Sequence, residues 1–168
     1  MKHFKFLVVL LSGLFAVLLC ISLLFPNHIM ISRGVKLSAN TNQVITALAD
    51  LSTWKDWNGL LSGAKNITVK DSVLRWEGAN GRKSSVKITG INDKGVTADF
   101  MIGNSRIING GFSVEKRNPA EDSIQVVWFL VEELKWYPWE KFYGMMAADL
   151  KAPLMLQSVE QFKQIHGY

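Results

Sequence analysis

Residues 78–116, GANGRKSSVKITGINDKGVTADFMIGNSRIINGGFSVEK, decide the fold of this chain. Turn chemistry at Gly78-Ala79-Asn80-Gly81, Asn92-Asp93-Lys94-Gly95 and Gly103-Asn104-Ser105 separates three runs, 83–91, 96–102 and 107–116. Short Gly/Asn turns between such runs join neighbouring strands as hairpins. In the first run Ser85, Lys87 and Thr89 alternate with Val86 and Ile88, the pattern of a strand with one wet face. Gly110-Gly111, inside the third run, reads as a β-bulge that curves it. Working outward, 66–70 and 73–77 precede this block as short strands, and 123–131 follows it after Asn118-Pro119-Ala120. Ile29, Ile31, Val35 and Leu37 alternate with smaller or polar residues and predict a first strand. Seven strands joined largely by hairpins give an antiparallel, strongly bent sheet. The strand over 123–131 hides its orientation, because Ile124, Val126, Val127, Trp128, Phe129 and Leu130 are apolar on both faces.

Two helical regions complete the domain. Ser38-Ala39-Asn40-Thr41-Asn42 is rich in N-cap residues, and Val44, Leu48 and Leu51 then recur at helical spacing, so one or two short helices run to Asn58-Gly59. Pro138-Trp139-Glu140 opens a helical tail. Phe142, Met145, Met146 and Asp149 mark one face of its first part, and Ala152, Met155, Val159 and Phe162 mark a face of its second. The two stripes do not align on a straight helix, and Pro153, which cannot donate to the carbonyl of Asp149, is expected to kink or restart it. A bent antiparallel sheet packed on one face by a long apolar helix is an α+β architecture.

Before this domain, residues 6–25, FLVVLLSGLFAVLLCISLLF, carry no charge. Twenty residues of helix rise about 30 Å, the thickness of a bilayer's hydrocarbon core. The run is longer than the apolar region of a cleavable signal, and Pro26-Asn27-His28-Ile29 offers no small-x-small cleavage site. Leu19 is too large for lipoprotein processing at Cys20. The chain therefore divides into a cytoplasmic N-terminus over 1–5, a single-pass membrane anchor over 6–25 and one domain over 29–168. Lys2 and Lys5 crowd the start and outweigh the more distant Arg33 and Lys36, which places the domain on the extracytoplasmic side. Cys20, the single cysteine, lies in the anchor, so neither a disulfide scaffold nor a cysteine metal site is available. Of 19 basic residues, setting aside Lys2 and Lys5 leaves 17 against 14 acidic ones, a net +3 for the domain. They are scattered singly, which argues against nucleic acid as a partner and leaves the lipid bilayer as the partner of 6–25. A chain 48% apolar and 20% charged is not disordered.

The order of strand, two short helices, six strands and long C-terminal helix resembles the helix-grip fold of the SRPBCC superfamily, the START-like and polyketide-cyclase-type proteins. Three stretches carry the likeness: Val44 to Leu51 followed by Trp54-Lys55-Asp56-Trp57, then Val127-Trp128-Phe129-Leu130, and the tail from Phe142 through Asp149 to Phe162-Lys163. The resemblance covers 29–168. It implies a cavity between curved sheet and helix that holds a lipid or other apolar small molecule, with some relatives acting as cyclases or hydratases and others only binding. No cofactor is implied.

The residues themselves narrow the chemistry. His3, His28 and His166 lie at the edges of the chain, which argues against a histidine-dependent hydrolase or a histidine metal cluster. No phosphate-cradling loop, dinucleotide fingerprint or nucleophile elbow occurs. Carboxylates remain at Glu77, Asp99, Glu132, Glu133 and Asp149. Asp149, on the face of Phe142, Met145 and Met146, is the candidate general acid if buried, against the plainer roles of capping the helix or pairing with a cation. Arg75 and Arg106 are candidate headgroup clamps, although strand arginines are commonly surface residues. Trp57, Trp76, Phe100, Ile102, Phe112, Trp128, Leu130, Phe142, Met145, Met146 and Asp149 are the expected cavity lining, with Met101 and Met155 as adaptable walls. Trp136-Tyr137-Pro138-Trp139 reads as an interfacial aromatic belt. Non-catalytic binding is the leading reading, with a cyclase or hydratase and a solid-cored protein-interaction module as the alternatives.

Overall fold

The computed structural model describes residues 2–103, 105–116 and 123–167. Asn104 of one expected turn and Asn118-Pro119-Ala120 of another lie outside the described residues. Helix α1, Lys2–Leu23, is long and apolar enough to cross a bilayer by length and composition. Four residues later the first strand, β1 (His28–Leu37), begins. Helix α2 (Thr41–Ala49) starts at Asn40, whose side chain accepts from the Asn42 amide at 2.9 Å, and buries Val44, Ile45 and Leu48. A single turn, α3 (Trp54–Trp57), and a 3₁₀ turn (Gly59–Leu61) return the chain to the sheet.

Six strands follow: β2 (Lys65–Lys70), β3 (Val73–Glu77), β4 (Lys83–Asn92), β5 (Gly95–Met101), β6 (Ile108–Glu115) and β7 (Ile124–Glu133). They form one antiparallel sheet in the order β1-β7-β6-β5-β4-β3-β2. Hairpins generate the order from β2 to β7, and the two short helices carry the chain from β1 across to the far edge. Helix α4, Pro138–His166, lies over the concave face, with its closest packing on β1. The result is the helix-grip arrangement.

Two expectations about backbone irregularity are corrected. Gly110-Gly111 is not a bulge, because β6 stays in unbroken register with both β5 and β7. The register shifts fall instead in β4/β5 between Ile88 and Gly90, and in β2/β3 between Lys65 and Thr68. The glycines serve close approach. A Cβ on Gly111 (φ 152°) would come 2.0 Å from the Val96 carbonyl oxygen, and one on Gly110 would come 2.5 Å from that of Phe129. Sheet curvature brings these backbones too near for a side chain.

The second correction concerns the long helix. Helix α4 runs through Pro153 as one element, and a single buried stripe spans it: Gly144, Ala147, Ala152, Met155, Val159 and Phe162. The misaligned first stripe, Phe142, Met145, Met146 and Asp149, faces outward. Burial here does not follow hydrophobicity. A Cβ on Gly144 would lie 2.4 Å from Leu134 Cδ1, in the segment just past β7, so a larger residue does not fit at that contact. The proline ring sits on the exposed side, and the packed stripe holds the helix across the one hydrogen bond it lacks.

Gly111→Ala is expected to lower stability by about 2–3 kcal/mol, because both the backbone angle and the facing carbonyl oppose a side chain. Denaturant unfolding followed by the near-ultraviolet circular dichroism of the buried tryptophans checks this. An unchanged midpoint would show that the sheet can relax.

Candidate functional site

The space between sheet and α4 is walled by six aromatic rings. Trp54 and Trp57 come from α3, Phe100 from β5, Phe112 from β6, Trp128 from β7 and Phe162 from α4, and all are fully buried. Sequence places them there: Phe100, Phe112 and Trp128 occupy inward positions of their strands, and the i, i+3 spacing of Trp54 and Trp57 puts both rings on the inner side of one helical turn. Ring centroids stand 5.4 Å apart for Trp54–Trp57, 5.7 Å for Trp57–Phe112, 5.1 Å for Trp57–Phe162 and 5.4 Å for Phe112–Trp128. Most pairs meet tilted or edge-on, the arrangement that ring quadrupoles favour. The indole N–H of Trp54 donates to the Leu48 carbonyl at 2.9 Å. That of Trp128 is completely buried and has no hydrogen-bond partner among the described residues.

Beyond Trp128 and Leu130 the inward row of β7 ends in Glu132, a buried carboxylate. Lys151 of α4 forms an ion pair with it across the seam. Burial, reinforced by the Arg106 guanidinium, holds the Lys151 ammonium below the usual lysine range. Arg106 in turn pairs with Glu140 in the first turn of α4 at 2.6 Å. This seam therefore combines an apolar ring wall with one buried charge pair at its margin. Among the described residues, no group of three or more His, Cys, Asp or Glu side chains stands close enough to hold a metal ion.

A groove of about 500 Å³ runs between α3 with its 3₁₀ turn and the middle of α4. Trp57 and Asn58 line one wall, and Leu150, Pro153, Leu154 and Gln157 line the other. Asn58 is buried; its Oδ1 accepts from the Leu60 amide at 3.1 Å, whereas its Nδ2 has no partner among the described residues. Ser158 ties the walls together, accepting from the Gly59 amide at 2.9 Å and donating to the Leu154 carbonyl at 2.7 Å. Trp57 thus borders both the ring wall and the groove.

The expected lining divides in two. Trp57, Trp76, Phe100, Phe112, Trp128 and Leu130 are buried within the domain, and Ile102 is half-buried just past β5. Phe142, Met145, Met146 and Asp149 are exposed on the outer side of α4, so an Asp149 general acid in the interior is ruled out by its position. Among the five candidate carboxylates the buried one is Glu132, and its partner is Lys151. The helical spacing 144-147-151-155 is the sequence signal for that lysine, masked by the larger apolar residues of the neighbouring face. Arg75 is exposed and borders a surface cleft of about 430 Å³ with Trp76, Ser85 and Met101, and Arg106 is occupied by Glu140.

No family model matches the sequence, and no curated protein does. Solved structures share the fold. Norcoclaurine synthase from Thalictrum flavum superposes with a TM-score of 0.58 at 14% identity, over 82% of this chain and 93% of that one. XoxI from Bacillus cereus gives 0.56 at 13% identity, over 81% and 94%. The Zhui aromatase/cyclase from Streptomyces sp. R1128 gives 0.51 at 13% identity, over 82% and 96%. At these identities the likeness is one of fold alone, the helix-grip arrangement described above.

Lys151→Met is expected to cost about 3 kcal/mol, since it leaves the Glu132 carboxylate buried without a cation, and Glu132→Leu together with Lys151→Met should recover most of it. The pH dependence has a definite sign. The native protein holds the Lys151 proton less tightly than the unfolded chain does, whose ordinary value is 10.5. The penalty is complete below the native value and is relieved as pH rises toward 10.5, so this residue makes stability increase with pH through that window. Unfolding midpoints across alkaline pH should show a smaller rise in the Lys151→Met protein than in the wild type.

Proposed function

We propose that the chain is a membrane-tethered helix-grip protein that binds a lipid or other apolar small molecule at the seam between sheet and α4, without transforming it. The observation that carries this reading is the groove between α3 and α4. Its volume suits a small-molecule site, one wall leads to Trp57 and the aromatic interior, the opposite lip is formed by the apolar Leu150 and Pro153, and Lys55, Asp56, Ser62 and Gln161 make the rest of the lining polar. An apolar body seated against Trp57 gains roughly 25 cal/mol per Å² of surface withdrawn from water. A polar head beside Asn58 and Gln157 meets amide groups able to hydrogen-bond it. The shared fold adds support: norcoclaurine synthase has been seen with dopamine and hydroxybenzaldehyde, small aromatic molecules. The anchor over 6–25, with the domain on the extracytoplasmic side, holds the groove within reach of bilayer lipid.

A second reading rests on the ring packing. Six rings at centroid separations of 5.1–6.3 Å occupy the seam, and a domain so filled acts through its surface as an interaction module. Native mass spectrometry of the detergent-solubilised full chain, followed by solvent extraction, separates the two. The binding reading expects a stoichiometric apolar molecule. Gln157→Trp, a change at an exposed groove position, is expected to abolish its retention while the melting temperature stays within the small range of surface substitutions. Bare protein that also ignores added lipids would leave the solid-core reading standing. Undiminished retention by Gln157→Trp would move the site out of this groove.

A further inference from the structure

The outward face of α4 changes character along its length. Over its first half it carries Trp139, Phe142, Tyr143, Met146 and Leu150, with exposures from 41% to 65%. Over its second half Gln157, Glu160 and Gln164 are exposed, and Leu156 and Ile165 are the large apolar residues that show there. Exposed apolar side chains are thus denser toward the N-terminal end of the helix, and polar ones toward the C-terminal end. Contiguous exposed apolar surface of this kind marks a contact with something.

The position of the apolar half says what that something is. Lys141, almost completely buried beneath it, donates to the Pro26 carbonyl and to Asn27 Oδ1, each at 2.7 Å, where the chain leaves α1. Ser22, in the last turn of α1, donates to the Trp136 carbonyl at 3.2 Å. The start of α4 is thereby fastened to the end of the apolar helix, and its exposed residues continue the exposed Leu23 and Leu24. Trp136, Tyr137, Trp139 and Tyr143 are the residue types that settle at the headgroup level. The flanking charges agree with that depth. Glu140 is neutralised by Arg106, Lys135 lies over the Tyr137 ring, and Asp149 is the exposed carboxylate that shares the face, on the side of Phe142 and Met145.

We propose that the first half of α4 is a membrane-docking surface, with Trp139, Phe142, Met146 and Leu150 seated at the boundary between headgroups and acyl chains of the bilayer that α1 crosses. This rests on the reading of 6–25 as a membrane span. A second copy of the chain gives no reason for polarity to change along the helix, whereas a plane lying at the anchored end does. Docking there also brings Leu150, a lip of the α3/α4 groove, to the lipid surface.

Site-directed spin labelling tests it. Cys20→Ser removes the sole cysteine, and single cysteines then replace Leu14, Met146, Leu150, Gln157 or Gln164 in the full chain. Each labelled protein is reconstituted into phosphatidylcholine vesicles with a minority of phosphatidylglycerol. Accessibility to oxygen and to a water-soluble nickel chelate is then compared. Docking predicts that oxygen outcompetes nickel at 146 and 150, with labels about 5–10 Å below the phosphates. At 157 and 164 nickel is expected to dominate. Nickel dominance at 146 and 150 with Leu14 deep in the bilayer overturns docking and leaves the anchor intact. Leu14 in water overturns the anchor and the proposal together. Labels at 146 and 150 shielded from both reagents identify a protein covering the face, and the proposal is then wrong.

Discussion

Contact between α4 and the inner face of the sheet governs the structure, and the ring cluster is where that contact is made. Phe162 reaches from the helix to Trp57, Trp57 touches Phe112, and Phe112 touches Trp128, so a continuous chain of rings links α4, α3, β6 and β7. Curvature of the sheet is a precondition. Without the side-chain-free backbones at Gly110 and Gly111, the strands would not approach closely enough to wrap the inner face around the rings.

The helix meets the sheet differently along its length. Near Phe162 the helix packs through a large ring against Trp57, whereas Gly144 abuts Leu134, just past β7, too closely for a side chain. That contact explains why Gly144 is hidden while the larger residues beside it are exposed. Between the two contacts lies a charge pair, Glu132 with Lys151, in which each charge needs the other once water is removed. Chemistry and packing are thus sorted along one seam: rings at one end, an ion pair in the middle, an apolar outer face at the other.

The fold was readable because hairpin turns and two-residue alternation are local signals, carried in the neighbouring residues of one strand. All seven strands, the two-part helical excursion after β1 and the C-terminal helix follow from spacing alone, and shared architecture with proteins at 13–14% identity bears that order out. The site was only partly readable. Trp57, Phe100, Phe112 and Trp128 were recognisable as buried aromatics on predicted elements. Hydrophobicity alone orients α4 the wrong way, because the outward Phe142, Met145 and Met146 are more hydrophobic than the buried Gly144, Ala147 and Ala152.

Sequence alone determined the strand order in the chain, the apolar helix ahead of the domain and the class of fold. Each depends on residue type and near-neighbour spacing. Tertiary structure alone decided which side of β7 and of α4 turns inward, that Gly110-Gly111 serve close approach, that Glu132 rather than Asp149 is the buried carboxylate, and that Lys151 answers it. Those facts depend on distances between elements far apart in sequence, and the same side chains are compatible with either face until the sheet's curvature and the height of the helix above it are set.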